Sequence, residues 1–167
     1  GPNTPPQPEQ IPDFDPRPRS ERELLTQMMG DDAVADAVLK QIRIDGFTNG
    51  FYRRIAALIA DRRQKGQSAG AAVLLDQSPA PDLARIISTL SMEVGIANPD
   101  QPELPLQDYI DNIRLKNLDA WIHALEAEIK SVGPETDLKV QLEMQAKHKG
   151  LTEQRKSLVE SRRHPHQ

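Results

Sequence analysis

One apolar stripe constrains the fold of this 167-residue chain more than any other feature of its sequence. Between positions 115 and 132 the apolar residues advance in steps of three, four, three, four and three. This spacing is typical of the seam of a coiled coil, and it predicts a long helix with one apolar side. Such a stripe has to be covered, either by another helix of the chain or by a partner protein. Its members, here called the seam, are Leu115, Leu118, Ile122, Leu125, Ile129 and Val132.

A second apolar stripe precedes the seam on the same predicted helix and faces another direction. A helix advances about 100° per residue, which places Tyr109, Ile110 and Ile113 within about 60° of Leu106. The seam lies between about 80° and 180° from Leu106, on nearly the opposite side. We therefore expect the first half of this helix to pack on one body and its second half to pack elsewhere.

The nearest cover for the seam is the last helix of the chain. Gly133-Pro134 cannot continue a helix, so the chain is expected to turn there and form a helical hairpin. The last helix carries fewer apolar residues than the seam it has to cover, and the sequence leaves open whether it breaks near Gly150. A seam of this kind is more often the core of its own hairpin than a partner groove. The two interpretations are compatible, because a hairpin can close with one face and bind with another.

Five shorter helices precede the long one, and no useful length of the chain alternates with period two. The sequence therefore predicts an all-α fold, in which a small helical bundle is joined by a long helix to a C-terminal helical hairpin. We expect the third helix to be central to the core, because Phe51, Tyr52, Ile55, Leu58 and Ile59 recur at helical spacing. The expected helices cover about 21–29, 31–42, 48–65, 71–76, a segment after Ser78, 106–132 and 135–162.

Several helix ends have recognisable signals. Ser20 and Glu23 have the spacing of a capping box, and Asp31 or Asp32 is expected to cap the second helix. Thr48 or Asn49 should begin the third helix and Gly66 should end it. Ser68 is the expected cap of the fourth helix, and Ser78 that of the fifth, with Pro79 in the first turn.

The first 18 residues contain seven of the 14 prolines, which is typical of an extended linker between domains. The opening Gly1-Pro2 resembles the scar that a protease leaves after removal of a cloning tag, so we expect the chain to be part of a longer protein. The expected organisation is a scar and linker over 1–18, a bundle over 19–114, a hairpin over 115–163 and a tail over 164–167.

Composition excludes several classes of function. The formal net charge is −4 and the pI is about 5.6, which does not favour nucleic acid or an anionic membrane as a partner. Hydrophobic residues make up 37% of the chain, and no apolar run approaches the roughly 18 residues of a membrane span. The chain has no cysteine, which excludes disulfides and thiol catalysis and fits a cytoplasmic location.

No residue pattern predicts catalysis, a metal site or a cofactor site in this chain. His164 and His166 lie in the expected tail without clustered partners, and acidic pairs such as Asp31-Asp32 are better explained as helix caps. The segment 53–65 carries Arg53, Arg54, Arg62, Arg63 and Lys65. That run is most simply the solvated face of a helix, and its functional alternative is contact with an acidic partner or with phosphate groups.

The ordered set of helix patterns resembles a known family. The segments "SERELLTQMMGDDAVADAVL", "GFYRRIAALIADRRQKG", "ISTLSMEVGI" and "LQDYIDNI" follow a proline-rich linker and precede a helical hairpin. Together they resemble the C-terminal helicase-binding domain of bacterial DnaG-type DNA primases. The resemblance covers about Arg19 to Arg162 and depends on order and spacing, since it includes no catalytic motif.

The resemblance implies a function in DNA replication. The domain would bind the N-terminal collar of the replicative DnaB-type helicase, recruit primase to the fork and modulate helicase activity. It would be a monomer alone and no enzyme itself, while the zinc-binding and polymerase domains of the primase would lie outside this chain. We expect the hairpin to be the main contact and Arg62 and Arg63 to be a secondary one. The residues assigned to the main contact are Leu138, Leu142, Leu151, Arg155, Leu158 and Val159.

Two alternatives remain at the level of sequence. The chain could be the N-terminal domain of the replicative helicase itself, which would be similar in fold and would self-associate. It could also be a helical nucleic-acid-binding module that uses the basic face of segment 53–65.

Overall fold

The computed structural model describes residues 15–77, 79–93 and 102–163. Across these ranges the chain forms seven α-helices and one 3-10 turn, with no β-strand. The all-α prediction is therefore confirmed. The helices are α1 (Arg17–Gly30), α2 (Asp32–Gln41), α3 (Gly50–Gln64), α4 (Ala71–Asp76), α5 (Pro81–Met92), α6 (Leu106–Ser131) and α7 (Leu138–Arg163), and the 3-10 turn is Ile44–Gly46.

Helix α1 is central to the bundle. It contacts α2, α3, α5 and α6, and it contributes the fully buried Leu24, Leu25 and Met28. Helix α3 adds Ile55 and Ile59 to the same core, but its Phe51 side chain is 41% exposed. The central position is therefore shared, because α1 contacts four other helices while α3 contacts α1, α2, α5 and the 3-10 turn.

Two of the predicted N-caps are confirmed. The Asp31 carboxylate accepts a hydrogen bond from the Ala33 amide at 2.8 Å and begins α2. The Asn49 side chain accepts from the amides of Phe51 and Tyr52 at 2.9 and 3.1 Å and begins α3. These bonds occupy amides that the first turn of a helix leaves without a partner. Gly66 ends α3 with a positive φ of 70°, as the sequence predicts.

The start of α1 differs from the prediction. The helix begins at Arg17, so Ser20 lies within it and is buried instead of forming a capping box with Glu23. Prolines are tolerated in the first turn because their missing amides would have no helical partner there. The Asp15 carboxylate accepts the Arg17 amide at 2.9 Å and takes over part of the capping role.

Three further helix ends were misplaced. Gly70, not Ser68, precedes α4, and α5 begins at Pro81, so Pro79 lies before the helix. Ser78 lies outside the described residues. Helix α7 begins at Leu138, after Asp137 accepts the Lys139 amide at 3.0 Å, and it continues through Gly150 without a break.

A buried carboxylate joins α1 to the start of α3. Glu21 is fully buried, and its Oε1 atom accepts the backbone amides of Thr48 and Asn49 at 2.6 and 3.2 Å. Its Oε2 atom accepts the Thr48 hydroxyl at 2.6 Å. A negative charge beside the N-terminus of a helix is also favoured by the helix dipole. Glu21 therefore fixes where the third helix begins relative to the first.

The long helix α6 divides its apolar residues as the sequence predicts. Tyr109, Ile110 and Ile113 are buried in the bundle core, whereas Leu118 and Leu125 are buried outside that core. The bundle reaches slightly beyond the expected boundary at 114, because the buried Asn117 side chain donates to the Gly46 carbonyl at 2.9 Å. A Cβ atom at position 46 would lie 3.0 Å from the Asn117 side chain, so this contact favours glycine there.

We predict that Glu21→Ala destabilises the protein by about 3 kcal/mol, because it leaves two amides and a hydroxyl without their charged acceptor. Urea unfolding followed by circular dichroism measures the change. Glu23→Ala, on the same helix and half-buried, is the matched control and should cost far less. Equal losses for the two variants would show that Glu21 has no special structural role.

Candidate partner-binding surface

The hairpin closes through one side of α7. Apolar side chains at Met144, Leu151 and Leu158 recur in steps of seven, and each is half-buried or buried. Helices α6 and α7 contact one another along this side. The positions between these residues are polar, which is why the sequence shows a thin stripe on α7.

The polar residues of this side are paired with α6. Arg162 Nη2 donates to Asn112 Oδ1 at 2.9 Å, and Arg155 donates to the Asp119 carboxylate. The third pair joins His148 Nε2 to Glu126 Oε1 at 3.0 Å. We call these three pairs the polar ladder.

The polar ladder has a regular geometry. Its members on α6 are Asn112, Asp119 and Glu126, which are seven residues apart. Their partners on α7 are Arg162, Arg155 and His148, also seven residues apart but in reverse chain order. Seven residues nearly complete two turns, so all three pairs lie along one edge of an antiparallel hairpin. Exposed ion pairs add little stability, but a series of matched polar groups disfavours other registers.

The pair of His148 and Glu126 also changes the pKa of the carboxylate. The hydrogen bond with His148 lowers the pKa of Glu126 below its usual range. The carboxylate is therefore held in its charged form beside the imidazole.

Two leucines lie on the outward side of α7 near the turn. Leu138 is 67% exposed and Leu142 is 60% exposed, and their spacing of four residues places them on one helical face. Gln145, Lys149 and Lys156 continue that face toward the C-terminus. Val140 is 41% exposed but lies on a different side of the helix. We call Leu138 and Leu142 the apolar pair.

The other predicted contact residues of α7 occupy different environments. Leu151 and Val159 are half-buried, and Arg155 belongs to the polar ladder. Leu158 is only 6% exposed and is covered within the hairpin, so its predicted contact with a partner stays a prediction. The covering side of α7 is partly polar, and the sequence alone does not reveal that those polar groups have partners on α6.

Arg62 and Arg63, which were predicted to form a secondary partner contact, are bonded to other parts of the bundle. Arg63 makes a two-point contact with Asp36, at 2.8 Å through Nε and 2.9 Å through Nη2, and its side chain is only 19% exposed. Arg62 Nε donates to the Ser68 carbonyl. Both arginines therefore fasten α3 to neighbouring segments, which makes them poor candidates for a secondary contact.

The described parts of the chain contain no group of three histidine or acidic side chains arranged to hold a metal ion. Within the same residues, no helix has both the length and the apolar character needed to cross a membrane. No family model, curated protein or solved structure matches this chain.

We predict that Arg155→Asp opens the hairpin, because it places a carboxylate beside Asp119. Combining it with Asp119→Arg should restore closure by reversing the pair. Amide hydrogen exchange of α7 measures the opening. Lys156→Asp makes the same charge change on the outward face and should leave exchange unchanged. Failure of the double variant to recover protection would argue against the polar ladder.

We predict a pH dependence for the contact between Asp36 and Arg63. The arginine lowers the pKa of Asp36, so the pair stabilises the fold above the usual aspartate pKa of about 3.9 and loses this effect as pH falls through the lowered value. Asp36→Asn should therefore lower Tm at neutral pH but change it little once the pH lies below the lowered pKa of Asp36. A difference in Tm that persists unchanged in acid would contradict the assigned cause.

Proposed function

We propose that this chain is the helicase-binding domain of a bacterial DnaG-type primase, which binds the N-terminal collar of a DnaB-type replicative helicase. It would act as an interaction module that recruits primase to the replication fork and modulates the helicase. The observation that carries the proposal is the apolar pair, exposed on the outer face of a hairpin that extends from a compact bundle.

The position of the apolar pair suits docking. Asn117 is the last α6 residue with a hydrogen bond to the bundle, and the helix continues to Ser131. That extension is about 20 Å long at 1.5 Å per residue. Leu138 begins α7 just after the turn, so the apolar pair lies toward the end of the hairpin that is farther from the bundle.

The chemistry of the apolar pair suits a helical partner. Two leucines four residues apart form the repeating unit with which an amphipathic helix enters a groove or packs on another helix. Lys149 and Lys156 provide a polar margin on the same face, as expected around an apolar contact. The sequence resemblance supplies the identity of the proposed partner, which the geometry alone does not give.

Contacts within the bundle count against the alternative of a nucleic-acid-binding module. It depended on the basic face of segment 53–65, where Arg62 and Arg63 are occupied by the Ser68 carbonyl and the Asp36 carboxylate. Phosphate contacts through these two groups would have to break existing bonds. The net charge of −4 also opposes binding to a polyanion.

We predict that the chain forms a complex with the N-terminal domain of the DnaB-type helicase encoded in the same genome. Leu138→Asp with Leu142→Asp should weaken that complex at least about tenfold, because each change places a charge in an apolar contact. Isothermal titration calorimetry measures the affinity. Phe51→Asp with Met92→Asp removes two exposed apolar side chains of the bundle and serves as the matched control.

The same preparation distinguishes the alternatives. Sedimentation should show a monomer without helicase, whereas assembly into a ring or trimer would favour the helicase domain itself. Tight, salt-dependent binding to DNA without helicase binding would favour the nucleic-acid module. Either result would overturn the proposed function.

A further inference from the structure

A groove on the bundle has no role in the hairpin. It has a volume of about 790 Å³ and lies between α2, the segment that follows it and α3. Cavities of this size are large enough to hold a bound group. Apolar and charged side chains both line it.

Part of the groove is lined by apolar side chains. Leu39, Ile42 and Ile44 line it from α2 and the following segment, and Ala60 lines it from α3. Along α3, Arg53, Ala60 and Gln64 recur on one helical face. The short alanine side chain allows a bound backbone to approach α3 closely.

One wall of the groove is held by ion pairs. Arg63 and Asp36 form their two-point contact across α3 and α2, and Asp32 lies 3.6 Å from the same arginine. These ion pairs hold the shape of the groove, and they leave one net negative charge on this wall. The positive charge of the groove therefore comes from its remaining residues.

The remaining charged residues are mainly basic. Lys40 has no acceptor among the described residues, and Arg53 uses its Nε atom to bind the Phe47 carbonyl at 2.9 Å. Arg43 and Asp45 approach to 3.4 Å with side chains 85% and 65% exposed, an arrangement of little energetic value. Four basic and two acidic side chains line the groove, and Asp32 is a further acidic neighbour, so its local charge is slightly positive although the whole chain has a net charge of −4.

We propose that this groove docks an acidic amphipathic helix from a partner protein. Its apolar residues would lie on Leu39, Ile44 and Ala60, and its carboxylates would lie beside Lys40, Arg43 and Arg53. From Arg53 to Gln64 the groove follows α3 for about 17 Å, the length of three helical turns. Charge complementarity selects the acidic partner, because the local basic excess opposes the charge of the chain around it.

This surface is separate from the apolar pair. The groove is built by α2 and α3, whereas the apolar pair is on α7. A partner could occupy the groove while the hairpin is free or bound. The proposal for the groove therefore does not depend on the proposed helicase contact.

The test uses a labelled peptide of about 14 residues, with leucines at i, i+4 and i+7 and glutamates at the flanking positions. Fluorescence anisotropy should show binding to the whole chain that weakens as salt is added. The amide signals of Leu39 and Ala60 should shift in NMR spectra. The same peptide with lysines in place of glutamates should bind at least about tenfold more weakly.

Charge reversal in the protein gives the matched comparison. Lys40→Glu with Arg43→Glu should weaken peptide binding about tenfold, because both substitutions lie at the edge of the groove. Arg85→Glu with Lys130→Glu changes the net charge equally at exposed positions on α5 and α6 and should leave binding unchanged. Ala60→Gln should also weaken binding by filling the apolar part of the groove. Circular dichroism verifies that each variant remains folded.

Three outcomes would overturn the proposal. Equal effects of the two charge-reversed variants would show that binding depends on net charge alone. Tighter binding of a single-stranded oligonucleotide of about 15 nucleotides, weakened by the groove variants, would assign the groove to nucleic acid. Peptide binding that appears only after removal of residues 1–14 would assign the groove to that segment of the chain.

Discussion

The structure depends on one constraint, which is that the single helix α6 has to bury two stripes that face different directions. Tyr109, Ile110 and Ile113 anchor its first half in the bundle, and Leu118 and Leu125 are covered by α7. Because a helix is stiff over this length, the direction of the hairpin is fixed by the packing of the first stripe. The bundle thus acts as the base that orients the apolar pair.

The closure of the hairpin combines apolar burial with polar matching. Leu158 is the buried residue of α7, so apolar burial alone gives this helix limited stability. The polar ladder adds selectivity, since moving α7 by one residue would separate Arg155 from Asp119 and His148 from Glu126. The three pairs involve positions 148–162 of α7, leaving the segment near the turn less constrained by side-chain pairing with α6.

Sequence reasoning succeeded where the determining signal was local. The two stripes of α6 follow from helical periodicity, and the caps at Asp31 and Asn49 follow from the short reach of their side chains. It failed where a residue has a distant partner. The predicted partner contacts at Arg155 and Arg63 were assigned without knowing that Asp119 and Asp36 lie beside these arginines. The start of α1 was misplaced for a local reason, because Asp15 accepts the Arg17 amide and the helix begins before Ser20.

The hairpin has a secured end and a less constrained end, and this asymmetry bears on binding. The Arg162–Asn112 pair lies at the bundle end, where the Asn112 amide is also 3.5 Å from the Ser20 hydroxyl. At the turn, the polar contact of α7 is local, with Gln141 donating to the Thr136 carbonyl. The exposed leucines at 138 and 142 lie at this second end. Because the polar ladder does not reach this end, a change in packing around the two leucines would leave the register of the rest of the hairpin unchanged, and its energetic cost would stay local.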